Sequence, residues 1–251
     1  RGDDPMSPDQ QVQSVLPRAP VAGRGFTLIE LLVVIAIVGL LLAVSVPAVQ
    51  GVRESARKTE CLDHLHQLAV ALQHHESTFG HLPKDNDKGW GVLTFLLPEI
   101  EQKPLYDQLK PQQNARGSLA PTLQPLLKTE IPVLWCPSYP EVEAPTAGGG
   151  SRTTYLGPEG LFSKRMTLSD VIDGESQTLA FGETSQEQGW SQPGLGTPGG
   201  GPNQGSFGSH HSGGTQIVLC DGQARFVSDS VDSATFAALC TPQGRDVVGS
   251  Y

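Results

Sequence analysis

Basic side chains are scarce in this chain and never clustered. Lys and Arg number 17 against 26 Asp and Glu, for a net charge of −9, and no run of basic residues occurs. Phosphate backbones are bound through Lys/Arg patches, so no nucleic-acid partner is expected. Cysteine is sparse too. The four, Cys61, Cys136, Cys220 and Cys240, contain no Cys-x-x-Cys pair, which speaks against a zinc ribbon or a thioredoxin-like redox site. His-Glu-x-x-His, Gly-Lys-Ser/Thr and Gly-x-Ser-x-Gly are all missing. His74-His75 and His210-His211 are adjacent pairs, and neighbours on a helix or strand point apart rather than at one metal. The expectation from these absences is a chain with no catalytic residues, no cofactor and no metal, and therefore not an enzyme.

Long apolar runs are missing as well, with one exception. From Phe26 to Val46 only Thr27, Glu30 and Ser45, with Gly39, interrupt a wholly apolar segment. As a helix it is roughly 31 Å long at ~1.5 Å per residue, enough to cross a bilayer core of about 30 Å. An ordinary secretory signal has a shorter core, and neither that reading nor a plain anchor accounts for Glu30. A carboxylate in a span costs ~2.5–3.5 kcal/mol at its centre and is usually functional.

Gly25, the aromatic Phe26, then Thr27-Leu28-Ile29-Glu30 and the apolar run resemble the class III signal of type IV pilins and type II secretion pseudopilins. The resemblance implies a leader peptide at 1–25, cut by prepilin peptidase between Gly25 and Phe26, with N-methylation of Phe26. It also implies that Glu30 pairs with the N-terminal amine of a neighbouring subunit during assembly, and that Pro47 loosens the helix as it leaves the lipid. Arg18 and Arg24 precede the span while Arg53, Arg57 and Lys58 follow it, so charge does not set the orientation. The resemblance does, with a single pass through the bacterial inner membrane and the large domain periplasmic or otherwise extracytoplasmic.

Beyond Pro47, Val49, Val52, Ala56, Leu62, Leu65, Leu68, Ala69 and Leu72 recur at helical spacing, and Cys61 shares the face of Leu65, Leu68 and Leu72. Gly80 and Pro83 should end that helix near Phe79. Short helices are expected at 90–97 and 104–109, and strands near 153–156 and 178–181. Residues 144–150 read as a glycine–proline loop, and 189–214, with ten glycines, as a long surface loop. Thr215–Cys220 and Gln223–Val227 flank Asp221-Gly222, a strong hairpin signal in which both turn residues are expected at positive φ. Asp232 can cap a helix running through Leu239. The expected class is α+β.

His211, nine residues and then Asp221-Gly222 resemble the signature of the bacterial prepilin-type H-X9-DG domain family. Cys61, Gly89-Trp90-Gly91, the 104–109 segment, Leu134-Trp135-Cys136-Pro137-Ser138, Thr154-Tyr155-Leu156-Gly157 and Asp173-Gly174-Glu175-Ser176 carry the same likeness. Tyr139 and Cys240 depart from it. The likeness implies a pilin-like fold: a long, partly transmembrane N-terminal helix on an antiparallel sheet, with a span at 26–47 and a domain at 48–251 made of an amphipathic helix (48–79) and a globular part (80–251). A structural subunit of a type II secretion or type IV pilus-like fibre is implied, with prepilin peptidase, other pilin or pseudopilin subunits, the assembly platform and the inner membrane as partners. The other reading is a membrane-anchored ligand-binding module using the 189–214 loop. His211, Asp221 and Gly222 are expected to be architectural, His211 bonding Asp221 to tie the loop to the turn, with a cation at Asp221 the minor alternative. Expected bridges are Cys61–Cys136 and Cys220–Cys240.

Overall fold

The structure, a computed structural model, describes residues 25–140 and 150–245. The expected leader, up to Arg24, and most of the expected 144–150 loop lie outside them. The chain divides into two units, one up to Ala48 and one from Val49 onward.

In the first unit, helix α1 (Leu28–Phe79) begins. Thr27 and Glu30 form its start: the Glu30 carboxylate accepts from the Thr27 amide (2.8 Å) and hydroxyl (2.7 Å), while the Thr27 hydroxyl accepts from the Glu30 amide (3.3 Å). This reciprocal cap satisfies amides the first turn leaves unpaired. The large apolar side chains from Leu28 to Val46 are exposed, and the helix is long and apolar enough to cross a membrane. Pro47 lies inside it and, lacking an N–H, leaves one carbonyl of the preceding turn without its helical donor.

In the second unit α1 buries Cys61, Leu65, Leu68, Ala69 and Leu72 along one stripe. Gly80, at φ +72, closes it by donating to the Glu76 carbonyl (2.7 Å) in the left-handed conformation that glycine adopts without strain. Two short helices follow, α2 (Val92–Leu96) and α3 (Lys103–Leu109), separated by a 3-10 turn at Leu97–Ile100. A four-stranded antiparallel sheet then forms in the order β1 (Arg152–Leu156), β2 (Leu179–Gly189), β3 (Gly214–Leu219), β4 (Ala224–Ser228). Helix α4 (Glu159–Phe162) lies between β1 and β2, and α5 (Ser233–Leu239) follows β4, its N-terminal amides bonded to Asp232. This is the expected α+β, pilin-like architecture.

The sheet is covered on both faces. Tyr155, Phe181, Val218 and Cys220 join the cluster of α1, whereas Leu156, Leu179, Ile217, Leu219 and Val227 pack with Phe207, Phe236 and Leu239. Along β3 period-two alternation separates the two sets, as a pleated strand requires, whereas in β2 a register shift between Leu179 and Phe181 puts those two on opposite faces. The second cover was not legible as such, because α5 is short and Phe207 sits in a glycine-rich stretch. That stretch is an irregular loop, but Trp190 and Phe207 are 1% exposed, so its aromatics are core residues rather than surface ones.

All four cysteines are free thiols in this structure, so neither expected bridge is formed. For Cys220 and Cys240 the reason is topological, since they belong to clusters on opposite faces of the sheet.

His75 is buried on α1, its ring 4.5 Å from that of Phe79 and 6.1 Å from that of His81. Burial, and next the nearby His81, lower its pKa from 6.5 to about 4. The unfolded chain therefore takes up this proton at higher pH than the folded one, so the contribution to stability is full above pH 6.5 and is lost as pH falls through 4, up to about 3 kcal/mol. Urea midpoints of the full chain in detergent should drop over that window, and His75→Phe should flatten the slope. An unchanged slope in the variant would contradict the assignment.

Candidate functional site

Two places gather the candidate functional residues. The first is the N-terminal junction. Gly25 and Phe26 stand just before α1, outside the helix, and Glu30 is engaged by Thr27 of its own chain.

The second lies in the other unit and is built from α1 outward. Glu54 and Cys61 are seven residues apart, two helical turns, and so share a face. Cys136 follows a 3-10 turn at Pro132–Leu134, and its amide donates to the Thr154 hydroxyl of β1 (2.6 Å). Glu183 stands opposite Tyr155 in the β1–β2 register, and its second carboxylate oxygen accepts from the Gln216 amide (2.8 Å). His211 enters from the loop before β3. Cys61, Cys136, Glu183 and His211 are 0%, 2%, 1% and 3% exposed, and their four donor atoms lie within 4.8 Å of one another. The Cys61 thiol donates to Glu183 Oε1 (2.9 Å) and lies 3.0 Å from the Tyr155 hydroxyl. His211 Nε2 is 3.4 Å from both Cys136 Sγ and Glu183 Oε1.

Behind the imidazole stands Glu54. Its Oε1 is 2.6 Å from His211 Nδ1, while Oε2 takes Arg57 Nη2 (2.6 Å) and the Ser138 hydroxyl (3.0 Å). Burial alone would raise the Glu54 pKa, but the bonds from His211, Arg57 and Ser138 outweigh it and hold it at about 2. The His211 imidazole, which desolvation would depress, is raised to about 9 chiefly by Cys136 and Glu54. Between the two cysteines, the Cys136 pKa is lowered to about 4, mainly by the closeness of Cys61, and that of Cys61 is driven up by the same closeness and by burial. Glu183 is raised to about 7 by burial and then by the Cys136 charge. The arrangement can hold a proton, a pair of charges or a cation, because it gathers sulfur, nitrogen and oxygen donors in a dry place.

His211 does not touch Asp221. Strand β3 separates them, about 20 Å at ~3.3 Å per residue over six residues. Asp221 instead accepts from the Gln223 amide (2.9 Å), and Gly222 alone of the turn pair has positive φ, +90. Leu219 donates to the Gln223 carbonyl (3.0 Å), and Gly222 to the Leu219 carbonyl (3.0 Å). That is a three-residue hairpin closing on one left-handed glycine, not a two-residue turn with two. The turn also docks on α1, through His66 Nδ1 to the Gly222 carbonyl (2.8 Å) and Gln73 to the Cys220 carbonyl (2.8 Å). From Glu54 to His66 is twelve residues of helix, about 18 Å at ~1.5 Å each. The nine-residue spacing of the motif thus matches the stretch of α1 that its two ends grip.

Residues 50–164 and 190–234 match the family described as "Protein of unknown function (DUF1559)", more than half of the chain. The chain belongs to that family. Ahead of the matched segments, residues 22–46 match the prokaryotic N-terminal methylation motif. The type IV major pilin protein PilE of Neisseria gonorrhoeae is 43% identical over 63 residues, 25% of this chain and 38% of the pilin, so the similarity spans well under half of that relative. No solved structure matches the chain. The family likeness had singled out Cys61, Cys136, Tyr155 and His211; that Cys61 and Cys136 lie together was expected, but not that Tyr155 and His211 join them. Glu54 and Glu183 were missed, Glu54 because it reads as one more charge on a solvated helix. Glu183 sits in a polar tract that no apolar pattern marks as a strand. Glu54 with Arg57 at i,i+3 was the one legible signal.

Replacing His211 by Ala takes from Glu54 Oε1 and from the buried cluster their shared partner and should cost about 3–5 kcal/mol. Asp221→Ala loses one exposed bond and should cost about 0.5–1.5 kcal/mol. With a strand between them, their effects should add within ~0.5 kcal/mol, whereas His211→Ala and Glu54→Ala should be strongly less than additive. Denaturant unfolding of the two double variants checks this, and coupling between positions 211 and 221 would restore the direct link.

Proposed function

We propose that the chain is a pilin-like subunit, cleaved after Gly25, N-methylated on Phe26, and joined to others in a short fibre of a type II secretion or type IV pilus-like machine. Prepilin peptidase and the assembly platform of that machine are its partners, and it makes a single pass through the inner membrane with the domain beyond Ala48 on the extracytoplasmic side. The observation that carries this reading is the junction itself: Gly25-Phe26 outside the helix, directly ahead of an exposed apolar segment that contains one carboxylate. The matched methylation motif and the partial identity to a type IV major pilin support it.

The local chemistry gives Glu30 two partners in turn. In the subunit alone it is satisfied by Thr27, which makes a carboxylate tolerable in lipid. Cleavage at Gly25 frees an α-amine one residue before Thr27. A neighbouring subunit's amine in the same apolar layer is a cationic partner for the carboxylate. The ligand-binding alternative used the 189–214 loop, which offers only Trp190 and Phe207 as aromatics, and both are buried.

Two variants separate the steps. Gly25→Val should leave the unprocessed precursor in the membrane, and intact mass of the wild type should give a chain starting at N-methyl-Phe26. Glu30→Val should be cut and inserted yet fail to crosslink into multimers. A mature N-terminus at or beyond Pro47 overturns the processing step, and normal crosslinked ladders from Glu30→Val overturn the assembly step.

A further inference from the structure

We propose that Cys61, Cys136, Glu183 and His211 form a structural site for one divalent transition metal ion, zinc by its ligand chemistry. The four donors come from four separate parts of the domain: α1, the segment after the 3-10 turn, β2 and the loop before β3. Thiolate, imidazole and carboxylate are the ligand types of zinc, and four protein ligands with no open position mark a structural site rather than a catalytic one. Bonds of about 2.0–2.3 Å in a tetrahedron put neighbouring ligand atoms about 3.3–3.8 Å apart. Cys136 Sγ to His211 Nε2 and His211 Nε2 to Glu183 Oε1 are each 3.4 Å, on that scale already. The Cys61–Glu183 edge, 2.9 Å, is a hydrogen bond that an ion would lengthen by about half an ångström.

The surroundings are those of a metal site as well. A metal-binding histidine typically gives its other ring N–H to a carboxylate, which fixes the tautomer and the ring plane. Glu54 Oε1, 2.6 Å from Nδ1, is placed to do this, so that Nε2 faces the two sulfurs and Glu183. Glu54 is itself held by Arg57 and Ser138. The Tyr155 hydroxyl, 3.0 Å from Cys61 Sγ, can donate to that sulfur. A buried carboxylate beside two thiols is costly unless it meets a cation, and a metal ion meets it with the thiols and imidazole in one coordination sphere.

The test uses the full chain, purified without a histidine tag in detergent under reducing conditions. Elemental analysis should give about one zinc per chain. After stripping with a chelator, Co²⁺ should restore intense sulfur-to-metal charge-transfer absorption, and Zn²⁺, but not Mg²⁺ or Ca²⁺, should restore the melting temperature. Cys136→Ser and His211→Gln should abolish the cobalt spectrum, Glu54→Gln should weaken zinc affinity by about 10–100-fold, and Asp221→Ala should leave both unchanged. Wild-type protein without stoichiometric metal and without a cobalt band overturns the proposal whatever the variants do. So does metal that persists in both Cys136→Ser and His211→Gln, or a Cys61–Cys136 disulfide found by peptide mapping of chain trapped with a thiol-blocking reagent directly from cells.

Discussion

The bond between Glu54 and His211 is the contact on which the domain depends. It joins α1 to the chain that is about to become β3, across 157 residues of sequence, with the imidazole wholly out of solvent. Everything near it is arranged around that one interaction. Arg57 and Ser138 hold the carboxylate, Cys136 and Glu183 face the other ring nitrogen, and Tyr155 fills in behind Cys61. A polar knot in an apolar interior is stable only when every member is satisfied, which makes it demanding of geometry and correspondingly specific.

The far end of β3 is held as well. His66 and Gln73 fasten the hairpin turn to the same helix that Glu54 fastens at the near end. The spacing from His211 to Asp221 is therefore a length, that of one strand laid along α1, and not a contact between the two named residues. Asp221 shapes the turn through Gln223, and Gly222 supplies the one left-handed residue and the carbonyl that meets α1.

Much of this was legible in the chain. The apolar span, the continuing amphipathic stripe, the glycine stop and the Asp-Gly hairpin each rest on local physics: periodicity, capping and turn chemistry. What was not legible is what depends on distant segments meeting. Adjacent histidines cannot share a ligand with each other, which argued against a metal, yet His211 alone can join Cys61, Cys136 and Glu183 once the sheet has formed. Cys220 and Cys240 lie close in sequence, which favoured a bridge, but Cys220 packs on the α1 side of the sheet while Cys240, at the end of α5, packs on the other. Phe207 and Trp190 fall in the stretch read as a surface loop for its ten glycines, and the fold uses them as core.

The order in which the parts of the knot become available has a consequence for synthesis. Its members lie at 54, 61, 136, 183 and 211, so the set is complete only when the last fifth of the chain has been made. Contacts this far apart in sequence close late, because a long loop's entropy is lost before they form. Until then the second half of α1 presents Cys61, Leu65, Leu68 and Leu72 with nothing to cover them. A half-made chain is thus unlocked, and the closing of His211 on Glu54 tells a completed domain from an interrupted one.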